Sequence, residues 1–182
     1  MMIDEKSKDS DNEKNKFGEK FKKDEAKNDT TKSGSIKSSV IKSKRALENI
    51  VNENIGYIKS TAPNVHCLTN VVTMQDVANM LLAAGGSAIM AQDIKEMEEI
   101  TQITSATLLN MGVPSDEKIA AYIAAGKCAN KLGHPVIFDP VGVGASNYRK
   151  KCANDILANV YPDIIRCNQE EAKVLLEFKN FG

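Results

Sequence analysis

The stretch PVIFDPVGVGAS, Pro135 to Ser146, holds a strand, a turn and the opening of a helix. Val136-Ile137-Phe138 has the β-branched and aromatic content of a strand covered on both faces. Pro140, Gly142 and Gly144 then turn the backbone out of it. Asp139 therefore stands at the carboxyl end of a strand. In open α/β sheets ligands bind along that edge, which makes Asp139 a candidate for meeting a substrate, a metal or a phosphate. A carboxylate there also caps helices and closes turns, and position alone leaves both readings standing.

Outward from this stretch, strand-like and helix-like segments take turns. Residues 46–61 read as a helix that ends before Pro63, NVHCLTNVV as an extended segment, and TMQDVANMLLAAGG as a helix stopped by Gly85-Gly86. SAIMA follows as a strand, Asp93 opens a helix through IKEMEEITQIT, and ATLLNMG is the next strand. Ser115 caps a helix running to Gly133, with Ala120, Ala124, Cys128 and Leu132 as the stripe expected to meet the sheet. A helix near 146–160, the strand PDIIRC and a helix from Gln169 close the pattern. Such alternation predicts an α/β fold, a mostly parallel sheet flanked by helices with right-handed crossovers. It also places Asn70, Asn110, Asp139 and Asn168 at or just past strand ends, with Met90 ending another, so these residues should gather along one edge.

The first 45 residues have a different character. They hold 13 of the 24 basic and 9 of the 24 acidic residues, so the zero formal charge of the 182-residue chain conceals a segment near +4 and a remainder near −4. With almost nothing apolar to bury, the segment cannot offset its ordering entropy, and residues 1–45 are expected to be a disordered charged tail ahead of a domain over 46–182. Acids interleaved among the lysines weaken any basic field, which argues against a nucleic-acid-binding arm. No run has the apolar core of a secretory signal or the length of a membrane span. Cys67, Cys128, Cys152 and Cys167 are scattered without a CxxC, as suits reduced thiols, and a cytoplasmic setting is expected. His66 and His134 read as structural.

Several chemistries drop out on motif grounds. There is no GxxxxGK[ST], and Gly142-Val143-Gly144 lacks the third glycine of a dinucleotide fingerprint, which argues against a dinucleotide-dependent enzyme. A glycine turn opening a helix remains, with N–H groups expected to hold an anion beside a carboxylate able to work through Mg²⁺. The second acidic feature is RCNQEE. Arg166 can grip phosphate bidentately, and Asn168 with Glu171 three residues later either shares a helix face toward a hydrated Mg²⁺ or forms a simple capping box.

The blocks VHCLTNVVTMQDVANMLLAAGGSAIMA, LLNMGVPS, AGKCANKLGHPVIFDPVGVGAS with YRK, and IIRCNQEEA resemble, in order and spacing, the hydroxyethylthiazole kinase family of the ribokinase-like superfamily. The resemblance covers roughly Val65 to Ala172. It implies ATP-dependent phosphorylation of the hydroxyl of 4-methyl-5-(2-hydroxyethyl)thiazole in thiamine salvage, with Mg²⁺, in a homotrimer whose active sites lie between subunits. Carried over residue by residue, it makes Met90, Asn70, Asn110 and Gly112 the thiazole pocket and Arg166 with Asn168 the ATP side. Asp139 and Glu171 become the acidic residues that act through Mg²⁺. Cys167 departs from the family pattern by standing where a glycine is usual. The resemblance also implies a sheet incomplete at its carboxyl-terminal end, because the family's glycine-rich anion hole has no counterpart here. An alternative reading is a catalytically inactive protein that binds a small molecule or another subunit.

Overall fold

The five apolar runs pair as one parallel sheet in the order β2-β1-β3-β4-β5, with β1 at Asn64–Leu68, β2 at Ser87–Ile89, β3 at Ala106–Asn110, β4 at Val136–Asp139 and β5 at Ile164–Ile165. The protein is seen here in a computed structural model that describes residues 35–178, with side chains from residue 44. Every strand is parallel because a helix carries the chain back between consecutive strands. These helices are α2 (Met74–Ala84), α3 (Met97–Gln102), α4 (Asp116–Leu132) and α5 (Asn147–Leu157), preceded by α1 (Ser35–Thr61) and followed by α6 (Gln169–Leu176). The expected mostly parallel α/β sheet is therefore present.

Local chemistry explains the boundaries. Ser115 and Ser146 cap α4 and α5 by accepting the backbone N–H groups of Lys118 and Arg149, and Gly85 and Gly133 end α2 and α4 in the left-handed conformation. Three expectations need correction. The helix drawn from Asp93 starts at Met97, because the Asp93 carboxylate accepts the Lys95 N–H and its carbonyl accepts the Glu96 N–H, making a turn there instead. The helix drawn over 46–61 reaches back to Ser35, so residues 35–45 of the expected tail lie inside it, and residues 1–34 fall outside the described residues. The stripe drawn on α4 is rotated from the buried one: Ala120 and Leu132 are exposed, while Ile119, Ala121, Tyr122, Ala125, Gly126 and Ala129 are buried. At Gly126 an added Cβ would lie 2.6 Å from both Val160 methyls, so the bare backbone is what lets that valine approach.

Strand register divides the sheet into two faces. Leu68, Leu109 and Phe138 stand side by side, all fully buried in a core shared with Met97, Tyr122, Ala125 and Ile156. His66 belongs to the same face, since its ring bonds Thr101 in α3. One residue away, Cys67, Leu108, Ile137 and Ile164 form a row on the other face, and exposure rises along it from fully buried Cys67 to Ile164 at 58%. The chain leaves β1 toward β2 on one side and returns to β3 on the other, so the switch point of the topology lies between the ends of β1 and β3.

Candidate active site

At that switch point four side chains join in sequence. Asn70, just past β1, donates from Nδ2 to Asn110 Oδ1 at 2.8 Å. Asn110 donates from its own Nδ2 to Asp139 Oδ2 at 2.9 Å, and Arg166 Nη1 donates to the same oxygen at 2.8 Å. Asn110 and Asp139 are register partners on β3 and β4, and the Arg166 N–H bonds Phe138 O to continue the ladder. Parallel pairing thus delivers one polar residue from β1, β3, β4 and β5 each to the same edge. Asn70, Asn110 and Asp139 are buried, whereas the Arg166 side chain is 77% exposed. The desolvated carboxylate is hydrogen-bonded on one oxygen, and its cationic partner faces solvent with further N–H donors to spare.

Gly112 makes this relay possible. A Cβ there would fall 2.1 Å from Asn70 Nδ2 and 3.0 Å from Asn110 Oδ1, and the Gly112 N–H donates to that same Asn110 oxygen. The Asn70 side chain in turn accepts the Val72 N–H, which shapes the loop after β1.

Glu171 is placed differently. Its Oε2 accepts the Asn168 N–H while Asn168 Oδ1 accepts the Glu171 N–H, so these two residues form a complete capping box at the start of α6. Its Oε1 accepts the Gly142 N–H at 2.9 Å. The glycine turn therefore offers fewer open donors than its sequence promised: Gly142 is taken by Glu171, and the Val143 and Ala145 N–H groups bond Pro140 and Gly142 carbonyls. Among the described residues no three His, Cys, Asp or Glu side chains cluster as a metal cage. Asp139 Oδ1 has no protein partner there, and each Glu171 oxygen keeps a lone pair. Hydrated Mg²⁺ takes one or two carboxylates and completes its shell with water, and the open oxygens of Asp139 and Glu171 are donors of that kind.

Met90 follows β2, half-buried. Its loop is fastened from both sides, because His66 Nε2 donates to Ala91 O at 3.2 Å and Gln92 Nε2 donates to Thr69 O at 3.0 Å. With Nε2 carrying the proton, Nδ1 accepts from Thr101 Oγ1. Burial lowers the His66 pKa, against the opposing pull of the Ala91 hydrogen bond and the Glu96 charge, and keeps the ring neutral. Cys167 is exposed, and its thiol is pushed up by partial burial and then by the charges of Glu171 and Asp139, so it stays protonated. Two residues of the region escaped sequence reasoning. Gln92 and Arg149 bond mainly backbone carbonyls, and a carbonyl partner leaves no mark in a sequence.

The hydroxyethylthiazole kinase family matches residues 55–181. A hydroxyethylthiazole kinase of Clostridium botulinum is 52% identical over 118 residues, covering 65% of this chain and 42% of the relative. One of Clostridium acetobutylicum is 48% identical over 126 residues, covering 69% and 46%. A solved structure of hydroxyethylthiazole kinase protein from Pyrococcus horikoshii superposes with a TM-score of 0.67 at 34% identity, covering 70% of this chain and 50% of that one. The chain thus spans just under half the length of the curated relatives it matches.

Proposed function

The chain belongs to the hydroxyethylthiazole kinase family, and on that premise we propose that it carries the alcohol pocket and the metal side of an ATP-dependent phosphorylation of 4-methyl-5-(2-hydroxyethyl)thiazole, in thiamine biosynthesis and salvage. The observation that supports this most is the relay from Asn70 through Asn110 and Asp139 to Arg166, which ties the alcohol-side residues to the phosphate-side residues along one sheet edge. Asn70, Asn110 and the Gly112 backbone shape the alcohol pocket, and Met90 packs its thioether against the thiazole ring. Arg166 keeps one N–H on Asp139 and turns its remaining donors to ATP phosphate, with Asn168 beside it. Asp139 and Glu171 hold Mg²⁺, which offsets phosphate charge when bound. The Asn110 and Arg166 hydrogen bonds fix the Asp139 rotamer, so its free oxygen needs little reorganisation to meet the ion.

The working assembly is a homotrimer in the cytoplasm. No helix among the described residues is long and apolar enough to cross a membrane.

The test joins this chain to the remaining part of the Clostridium botulinum relative and follows ATP-dependent thiazole phosphate formation. Asp139→Ala and Glu171→Ala should each lower kcat by at least ~10²-fold, the lower range for losing a preorganised electrostatic group. Full turnover in both variants would defeat the site assignment, and no turnover in the joined wild type would defeat the activity.

A further inference from the structure

Arg149 lies in the first turn of α5, where its backbone N–H is held by Ser146 Oγ at 3.2 Å. Its side chain reaches back beneath the site. Nη1 donates to Val141 O at 2.8 Å and to Met111 O at 3.3 Å, and Nη2 donates to Gly112 O at 2.8 Å. The first carbonyl belongs to the turn after β4, and the other two belong to the loop after β3. Among the described residues no carboxylate lies within ion-pair distance of Arg149, so its charge is directed onto backbone oxygens. Gly142, at φ +66°, leaves room for it, since a Cβ there would sit 3.3 Å from Nη1.

We propose that Arg149 is a positioning residue that locks the Met111-Gly112 loop to the Val141-Gly142 turn and so fixes the alcohol pocket against the metal side. Strand pairing ends just before this point: the Met111 N–H bonds Asp139 O, and the two segments then diverge toward α4 and the turn. Gly112 must stay where it is for Asn70 to reach Asn110, and Gly142 must stay where it is for Glu171 to hold its N–H. The guanidinium ties the Gly112 carbonyl and the peptide that joins Val141 to Gly142 to one rigid plane. A planar fork serves carbonyls of two loops at once, whereas an ammonium is a single point of charge on a flexible stem. The kinetic part of the inference rests on the proposed kinase reading, and the structural part does not.

Two measurements test it. Hydrogen–deuterium exchange on this chain should quicken in segments 110–115 and 140–146 together in Arg149→Met. Arg149→Lys, which keeps the charge and the stem, should leave at least one of the two segments exchanging faster than in the wild type. Unchanged exchange in both segments, or full protection by lysine, would overturn the lock, and the lysine variant still decides if the methionine variant fails to fold. In the joined enzyme described above, both variants should lower kcat/KM at least ~10-fold with a higher KM for the alcohol, as a misplacement near 1 Å costs up to ~10². Wild-type kinetics in both would overturn the positioning role. If the joined wild type makes no thiazole phosphate, the activity reading fails and the exchange result alone decides the lock.

Discussion

The two faces of the sheet are built from adjacent residues of the same strands, yet they have met opposite fates. Leu68, Leu109 and Phe138 are sealed under α3, α4 and α5, while Leu108 and Ile137, one position away on β3 and β4, are half-buried and Ile164 next to them on β5 is exposed. Composition cannot explain the difference, because both rows are aliphatic or aromatic. Burial depends on where the crossover helices go, and the three connections that step from β2 to β5 all return over one face.

The largest effect should come from testing the sealed face directly. Phe138→Ala should cost about 3–5 kcal/mol in urea unfolding, and Ile137→Ala on the open face about 1–2 kcal/mol, because Ile137 is only half-buried. Equal losses would erase the distinction. A smaller effect is expected from pH, acting on the sealed face through His66. Burial depresses its folded pKa below the ordinary 6.5, so the unfolded chain binds the proton more readily. The stability contributed by the neutral ring is fully present above about pH 6.5 and is lost as pH falls through the lower folded value. His66→Gln should flatten that part of the stability–pH curve, and an unaltered slope would mean that other groups carry it. The smallest stability effect belongs to Ile164→Ser, within about 0.5 kcal/mol, as for ordinary surface changes. The same substitution should reduce self-association in light scattering, since it breaks the apolar row at its most exposed point. A loss above ~1 kcal/mol would show that Ile164 is packed after all.

The sequence announced its elements where the signal was local. Ser115 with Gly133, and Gly85 after an apolar helix, mark boundaries that a few neighbouring residues determine. The errors came where one residue type serves two local geometries, or where a distant partner decides. Asp93 satisfies N–H groups in a turn as readily as at a helix start, and the buried stripe of α4 depends on its wedging between the sheet, α3 and α5. The alignment of Asn70, Asn110 and Asp139 was legible because parallel strands put their ends together, and so was the place of Arg166 at the end of the last strand. The capping box of Asn168 and Glu171 was one of two open readings, and the structure contains it without removing the lone pairs a metal would use. Arg149 was illegible, although its block was singled out, because three main-chain oxygens from two loops have no side-chain signature.

The relay also has a direction. A carboxylate only accepts, so Asn110 must turn its amino group to Asp139 and its oxygen away; Asn70 must then turn its amino group to Asn110, leaving its oxygen for the Val72 N–H. One acceptor on β4 dictates which way two amides face and how the backbone turns after β1. A neutral amide at position 139 would be nearly the same shape, but it could either give or take, and the direction of the row would then rest on the Arg166, Gly112 and Val72 N–H donors alone. The charge at Asp139 thus acts as a compass for groups up to two strands away.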